Sequence, residues 1–388
     1  MRSELAPIKS LRSGPGAGHT LPARAALLFP AARRYTRGVR SFLPLLAIAF
    51  LAPGRAEGLQ DEKIREGTSP CRALRPSRDP ALQPLLDKYE FKEKEFAWQL
   101  REVRQTEKYT LSWLTFPSAV RSESGENNTV WARFWEPREA GRKRPAALLL
   151  HWLGGKFDLF ELIGQRLAEH GIPSLMMYMP DYGPRASKDP ERRDKMMKME
   201  MERVLGNVRQ AVMDARRAGD WLASRRDVEP SRVGIVGVSL GAVIGSLAAG
   251  VDDRFGRSVF IIGGGDLPAI VLHGSKETIA AKKKLEESWL TPEKLRELWK
   301  DIEPCTFASR MRPEEILMIN AESDEVIPKE STLRLHEAAG RPEIRWFKGG
   351  HYALLFQVGS ALKDMLAHLG QRTAYAHLEL PVLEEAGP

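Results

Sequence analysis

Continuous apolar runs alternate with longer amphipathic stretches over residues 109–369. The runs at 146–151 and 232–238 lack the polar alternation of a half-exposed strand, so they predict strands that are buried on both faces. The stretches at 160–170 and 329–339 instead carry apolar residues at helical spacing. This alternation predicts an α/β fold, with a mostly parallel eight-stranded sheet and helices on both faces. The predicted strands lie at residues 109–116, 129–135, 146–151, 172–179, 232–238, 258–263, 315–321 and 344–348.

The chain before the first predicted strand has a different composition. Residues 57–80 are polar and contain proline, which favours a loose linker. Residues 82–106 combine many charges with apolar residues such as Leu86 and Leu100, and we predict a helical extension there that lies on the main domain. The predicted boundaries are a leader over residues 1–56, the linker and helical extension over 57–107, an α/β domain over 108–372 and a tail over 373–388.

One insertion interrupts the alternation of strands and helices. Residues 277–290 and 292–301 form two charged amphipathic stretches between the sixth and seventh predicted strands. Because they follow a strand whose carboxyl end faces the expected ligand-binding edge, we predict that about residues 267–310 form a helical lid.

The net charge of the chain is concentrated near its start. Of the 388 residues, 59 are Lys or Arg and 51 are Asp or Glu, a formal net charge of +8. Residues 1–56 hold nine of the basic residues and one of the acidic ones, so the remainder is balanced at 50 of each sign. A balanced chain gives no electrostatic basis for binding nucleic acid, and we predict no such partner.

The same leader has the pattern of a targeting segment. Several arginines between residues 33 and 40 precede an apolar run at 42–52, and small residues lead to a potential cleavage site after Ala56. This order is typical of a secretory signal, and an apolar run of 11 residues is too short to span a bilayer as a helix. We therefore predict a secreted, periplasmic or envelope-associated protein with no membrane span after leader removal. A retained anchor and an organelle transit peptide are the alternatives.

The chain contains two cysteines, Cys71 and Cys305. Export would permit a disulfide between them, and two separate thiols are equally compatible with the sequence. No pair of cysteines or histidines has the spacing of a zinc site.

The sharpest chemical signal follows the fifth predicted strand. The β-branched run ends in Gly237-Val238-Ser239-Leu240-Gly241, and small residues at helical spacing follow at once. A strand, a Gly-x-Ser-x-Gly turn and a helix are the pattern of a nucleophile elbow, which exposes the serine at the carboxyl end of the sheet. The glycines remove Cβ atoms that would collide with the neighbouring strand and helix.

Three further loops leave the carboxyl ends of predicted strands and carry candidate groups. They are His151-Trp152-Leu153-Gly154-Gly155, the turn Ser323-Asp324-Glu325-Val326-Ile327-Pro328, and Gly349-Gly350-His351-Tyr352. Ligands of open α/β sheets bind beyond these strand ends, so the loops are expected to meet. The chain order Ser239, Asp324, His351 is that of an α/β-hydrolase triad.

These motifs together resemble the α/β-hydrolase superfamily, most closely enzymes of the dienelactone hydrolase and acetyl xylan esterase type. The resemblance covers about residues 109–369. The sequence departs from it in two places. True dienelactone hydrolases use cysteine where this chain has Ser239, and the usual His-Gly before the oxyanion residue is His151-Trp152 here.

The resemblance and the proton chemistry imply a role for each group. His351 would accept the proton of Ser239 as the serine attacks a carbonyl carbon, and Asp324 would orient the imidazole. The amides of Leu240 and Leu153 would bind the oxyanion. No metal or organic cofactor is required. Two alternatives stay open: His351 could be a turn histidine, and Asp324 could cap a helix while Asp266 serves as the acid.

The sequence therefore predicts a serine hydrolase that cleaves a carboxylic ester through an acyl-enzyme intermediate. A small-molecule or acylated-carbohydrate ester is the expected substrate. A peptidase or thioesterase would use the same triad, and a non-catalytic hydrolase-fold binding protein is the alternative of a different class.

Overall fold

A sheet of ten strands forms the frame of the described part of the chain. A computed structural model describes residues 63–139, 141, 143–188, 201–275, 278–287 and 290–370. The leader predicted over 1–56 and the tail predicted over 373–388 lie outside these residues. The strands are β1 Ile64–Pro70, β2 Glu95–Gln105, β3 Tyr109–Pro117, β4 Thr129–Pro137, β5 Arg144–Leu150, β6 Ser174–Met177, β7 Val228–Val238, β8 Ser258–Ile261, β9 Ile316–Ala321 and β10 Glu343–Phe347.

Helices connect the strands and cover both faces of the sheet. The α-helices are α1 Gln83–Leu86, α2 Asp158–Glu169, α3 Met201–Ser224, α4 Leu240–Val251, α5 Leu267–His273, α6 Ile279–Glu287, α7 Pro292–Leu298, α8 Pro304–Phe307, α9 Lys329–Ala338 and α10 Val358–Leu369. Short 3-10 turns lie at Asp87–Tyr89, Gly125–Asn128, Gly183–Arg185, Ala308–Arg310, Pro313–Glu315 and His351–Phe356. None of the described helices is long and apolar enough to cross a membrane.

The sheet is antiparallel at one side and parallel at the other. Its strand order is β1-β2-β3-β4-β6-β5-β7-β8-β9-β10. The first four pairs in this order, from β1–β2 to β4–β6, are antiparallel, and the five pairs from β6–β5 to β9–β10 are parallel. The predicted α/β class is confirmed, and all eight predicted strands are present. Two further strands, β1 and β2, extend the antiparallel side.

Two hydrophobic cores lie on opposite faces of the sheet, and the central strands supply both. In β5, Leu148 and Leu150 pack in one core, whereas Ala147 and Leu149 pack in the other. Successive side chains of a strand point to opposite faces, so a strand covered on both sides must be apolar at every position. Helix α2 covers the second core with residues at helical spacing, among them Phe160, Ile163 and Leu167.

The helical extension predicted over 82–106 is wrong in its main part. Helix α1 is a single turn, and Glu95–Gln105 form strand β2. The 57–80 linker is also partly wrong, because it contains β1, which pairs antiparallel with β2. Phe96, Trp98 and Leu100 lie two residues apart, so an extended chain turns all three to one side. The alternation is short, because after Leu100 the strand continues with the charged residues Arg101, Glu102 and Arg104.

A fully buried ion pair joins α3 to the chain that follows β6. Arg185 donates a hydrogen bond of 2.7 Å to Asp214, and neither side chain is exposed to solvent. Arg185 also donates to the carbonyl oxygens of Tyr178 and Asn127, at 3.0 and 2.8 Å. Burial raises the pKa of Asp214, while the guanidinium opposes that shift. The pair therefore depends on both partners, because either charge alone would be buried without compensation.

We expect Asp214→Ala to lower the free energy of unfolding by about 3–5 kcal/mol, because it leaves the Arg185 charge buried without its carboxylate. Urea unfolding followed by circular dichroism measures this loss. Glu337→Ala is the control, since Glu337 forms an exposed ion pair with Arg341 and its removal should leave the midpoint unchanged. Equal urea midpoints for Asp214→Ala and the wild type would contradict the argument.

Candidate active site

Ser239 lies in the sharp turn between β7 and α4. Its backbone has φ 54° and ψ −117°, a conformation that non-glycine residues rarely adopt. The turn is held by a hydrogen bond of 2.9 Å from the Ser239 amide to the carbonyl oxygen of Ile261 in β8. The predicted elbow geometry is therefore present, with the serine where the strand ends and the helix begins.

The two glycines of the motif are required by close backbone contacts. A Cβ atom on Gly241 would lie under 3.0 Å from the carbonyl oxygens of Leu150 and His151 at the end of β5. A Cβ atom on Gly237 would lie equally close to the carbonyl oxygen of Gly241. These neighbours are main-chain atoms, so they cannot move aside as a flexible side chain could.

The structure brings the three predicted triad residues together. Ser239 Oγ lies 2.9 Å from His351 Nε2, and His351 Nδ1 lies 2.9 and 2.8 Å from the two carboxylate oxygens of Asp324. Ser239 and His351 each keep 7% of their surface exposed. With Nδ1 protonated and donating to the carboxylate, Nε2 is free to accept the serine proton.

The Asp324 carboxylate is fixed by its own turn. The amides of Val326 and Ile327 both donate to Asp324 Oδ1 at 2.8 Å. The alternative acid, Asp266, is engaged elsewhere, because its carboxylate accepts hydrogen bonds from Arg296 at 3.1 Å and pairs with Arg334. The geometry therefore favours Asp324 over Asp266 as the partner of His351.

The predicted oxyanion donors lie in two adjacent turns. The Leu240 amide is the first of α4, and the Leu153 amide belongs to the turn that follows β5. Among the described residues, neither amide donates a hydrogen bond to a protein acceptor. A first-turn helix amide also points along the positive end of the helix dipole, which favours a developing negative charge.

His151 holds the turn that carries Leu153. Its Nδ1 lies 2.8 Å from the Trp152 carbonyl oxygen, and the Met179 amide donates to its Nε2 at 3.1 Å. These partners define a neutral ring that donates through Nδ1 and accepts through Nε2. Burial lowers the pKa of His151 to about 4, so the ring stays neutral near pH 7. His151 therefore joins the turn after β5 to the chain after β6, and both of its ring nitrogens are engaged by main-chain groups.

Trp152, the departure from the usual His-Gly, packs on α2. Its ring meets that of Phe160 edge to face, and its Nε1 donates to the carbonyl oxygen of Lys156 at 2.8 Å. The indole therefore helps to close the turn that contains Leu153.

The start of the predicted lid packs on the acid turn. Ile270 of α5 shares a small apolar cluster with Val243 of α4 and Ile327 of the acid turn. The backbone and hydroxyl of Ser275 both donate to the carbonyl oxygen of Glu325, at 2.9 and 2.7 Å. This contact places α5 beside the triad, and the lid role itself stays a prediction.

The sequence motifs do not indicate a role for Glu325 in the site. Its carboxylate accepts a hydrogen bond of 3.0 Å from the backbone amide of His351. Only its position next to Asp324 could have drawn attention to it, and that position does not say which way the side chain turns.

The cysteines do not pair. Cys71 and Cys305 are both free thiols, so the open question of a disulfide is answered in favour of separate thiols. The described residues contain no group of three or more His, Cys, Asp or Glu side chains that could hold a metal ion.

Two family models match the chain. Residues 130–301 match the dienelactone hydrolase family, and residues 267–369 match the family described as alpha/beta hydrolase domain containing 18. An uncharacterized protein of Mycobacterium tuberculosis (strain ATCC 25618 / H37Rv) is 30% identical over 187 residues, which cover 47% of this chain and 43% of that protein. The chain thus matches less than half the length of this curated relative.

Solved structures of similar fold include two acetyl xylan esterases. The enzyme from Paenibacillus sp. R4 superposes with a TM-score of 0.58 at 16% identity, over 76% of this chain and 96% of that one. Acetyl xylan esterase 1 from Thermoanaerobacterium sp. JW/SL YS485 gives a TM-score of 0.50 at 16% identity, over 75% and 96%. At such identities the likeness concerns the fold, which is that of an α/β-hydrolase. The comparisons confirm the resemblance drawn from the three motifs, and the dienelactone hydrolase match supports a hydrolase.

We expect Gly241→Ala to destabilise the fold by about 3 kcal/mol, the upper range for overpacking, because the new methyl group meets main-chain oxygens of β5. The thermal midpoint reports this loss. Gly359→Ala in α10 is the matched control, since nothing lies within 4 Å of its Cβ position. If both variants have the thermal midpoint of the wild type, the close approach of α4 to β5 does not require glycine at position 241.

The buried neutral state of His151 predicts a specific pH dependence. The pKa of His151 falls from 6.5 to about 4 on folding, so the unfolded chain binds this proton more readily. The contribution of His151 to the free energy of unfolding is fully present above about pH 6.5. It falls by up to about 3 kcal/mol as the pH drops towards 4. Urea unfolding at pH 7 and pH 4.5 measures this effect. Between these pH values, the free energy of unfolding should decrease less for His151→Gln than for the wild type. The exposed His273→Gln should keep the wild-type difference.

Proposed function

We propose that this α/β-hydrolase is a serine esterase that cleaves a carboxylic ester through an acyl-enzyme intermediate. The observation that carries the proposal is the continuous hydrogen-bonded chain Ser239–His351–Asp324, with distances of 2.9 and 2.8 Å. A free serine hydroxyl is a weak nucleophile near neutral pH and needs an adjacent base. In this proposal His351 is that base, and Asp324 orients its imidazole.

Acylation begins with attack of Ser239 Oγ on the ester carbonyl carbon. His351 Nε2 takes the hydroxyl proton as the bond forms, and the Asp324 carboxylate stabilises the resulting imidazolium. The imidazolium then donates its proton to the departing alkoxide, which leaves as an alcohol. The acyl group remains on Ser239.

The tetrahedral intermediate carries a negative oxygen that needs donors. The Leu240 and Leu153 amides are the proposed donors, and each such hydrogen bond is typically worth about 3–4 kcal/mol in the transition state. The elbow fixes the first amide. The hydrogen bonds of His151 with Trp152 and Met179 fix the turn that holds the second.

Deacylation repeats the same proton path with water. His351 Nε2 accepts a proton from water as it attacks the acyl carbon, and then returns that proton to Ser239 Oγ. The product acid leaves and the serine is free again. This cycle uses only side chains and amides of the chain itself.

We propose a small-molecule or acylated-carbohydrate ester as the substrate. The acetyl xylan esterase structures of similar fold support this class, and the balanced charge of residues 57–388 gives no preference for a polyanion. We also propose that the protein is exported to the envelope or beyond, on the strength of the arginine-rich and apolar pattern of residues 33–56.

We expect Ser239→Ala to lower kcat for p-nitrophenyl acetate by a factor of about 10⁶, because removal of a triad nucleophile leaves only binding and the oxyanion donors. The same variant should resist labelling by a fluorophosphonate, which reacts only with an activated serine. Ser246→Ala is the matched control, since Ser246 is a buried serine of α4, the helix that follows Ser239, and its hydroxyl donates to the Val243 carbonyl oxygen. That variant should keep wild-type turnover and labelling.

A wild-type protein inert to both reagents would contradict the proposal and favour a binding protein. A wild type that is labelled but inert to esters would direct the search to peptide and thioester substrates, which the same triad can cleave.

A further inference from the structure

Glu325 connects the acid turn to the histidine loop, and its position is fixed from both ends. Its side-chain Oε2 accepts the His351 backbone N–H at 3.0 Å. Its own carbonyl oxygen accepts hydrogen bonds from the backbone and hydroxyl of Ser275, at 2.9 and 2.7 Å. The residue therefore links the segment after α5 to the loop that carries the imidazole.

The histidine loop approaches this carboxylate closely at Gly350. A Cβ atom on Gly350 would lie under 3.0 Å from Glu325 Oε2 and 3.2 Å from the Ser323 carbonyl oxygen. The Glu325 side chain thus lies directly against the main chain that precedes His351. The oxygen that accepts the His351 N–H therefore also packs against Gly350, the residue before it.

The neighbouring contacts between the two loops are made by main-chain groups. The Glu322 amide donates to the Phe347 carbonyl oxygen at 3.0 Å, and the Ser323 amide donates to the Gly349 carbonyl oxygen at 3.1 Å. These two bonds continue the β9–β10 pairing as far as Gly349. Beyond it, the Glu325 carboxylate makes the next link, at the residue whose ring must reach Ser239.

The chemistry makes the position of His351 critical. Its Nδ1 must face Asp324 while its Nε2 faces Ser239, so a small rotation of the loop weakens one contact or the other. A misplacement of about 1 Å in a catalytic group can cost about 100-fold in rate.

We propose that Glu325 is a positioning residue for His351, and that it acts by accepting the backbone N–H of that residue. The inference rests on the proposed function, because it concerns the base of the same triad. It assigns Glu325 no contact with the substrate. It predicts that the reach of the side chain and its acceptor oxygen matter more than its negative charge.

Two substitutions separate reach from charge. Glu325→Gln keeps the length and an acceptor oxygen but removes the charge, whereas Glu325→Asp keeps the charge and shortens the side chain by one methylene. We expect Glu325→Gln to retain kcat for p-nitrophenyl acetate within about threefold. We expect Glu325→Asp and Glu325→Ala to lose about 10- to 100-fold in kcat with KM within about twofold of the wild type, because the base is displaced while substrate contacts remain.

Glu322→Ala is the matched control. Glu322 is an exposed carboxylate on the same turn, and its contact with the histidine strand uses the backbone amide, which the substitution preserves. Its kcat and KM should equal those of the wild type. Thermal midpoints of all four variants show whether any loss of rate reflects unfolding, and the Gln–Asp pair still decides the question if Glu325→Ala does not fold.

The outcomes separate this inference from the proposed function. The rate of fluorophosphonate labelling at Ser239 depends on His351 and not on the choice of ester, so it is measured alongside turnover. Wild-type rates in Glu325→Ala and Glu325→Asp would overturn the positioning role while leaving the esterase intact. A slow Glu325→Gln beside a fast Glu325→Asp would overturn it in favour of a charge effect. A wild type that is not labelled at all would overturn both proposals.

Discussion

The approach of α4 to β5 is the constraint on which the rest of the site depends. Gly241 lies against the carbonyl oxygens of Leu150 and His151, so the nucleophile turn and the oxyanion turn touch through their main chains. This contact sets the Leu240 amide beside the turn that carries Leu153. It also holds Ser239 at φ 54°, a strained conformation that persists only when the surrounding structure over-determines it. The strain is therefore stored at the residue whose hydroxyl is proposed to react.

The other half of the site is held mainly by hydrogen bonds. Two amides fix the Asp324 carboxylate, and the Glu325 carboxylate accepts the amide of His351. Asp266, a second buried carboxylate at the same side of the sheet, is paired with two arginines. Asp266 and Asp324 thus belong to separate hydrogen-bond networks. A carboxylate that is already paired with arginine is a poor competitor for the imidazole.

The parts that sequence predicted well are those where one local pattern decides the structure. The buried strands need apolar residues at every position, and the elbow needs glycine on both sides of Ser239, so both leave clear signals. The sequence predicts a helix at β2 because the alternation of apolar residues covers only Phe96 to Leu100 and charged residues follow it. Its strand conformation comes from pairing with β1 and β3, a long-range effect that no local window contains. The direction of the Glu325 side chain is likewise set by a loop 26 residues later.

The division of β5 between two cores has a consequence for the active site. Leu148 and Leu150 face one core, Ala147 and Leu149 face the other, and Leu150 is paired with Gly237 of the elbow strand. A slip of one residue along this strand would exchange the faces of all four side chains, so one core would receive an alanine in place of a leucine and the other a leucine in place of an alanine. The same slip would carry the following turn one residue away from Ser239. The packing of the two cores therefore fixes the register of β5, and with it the position of the proposed oxyanion amide.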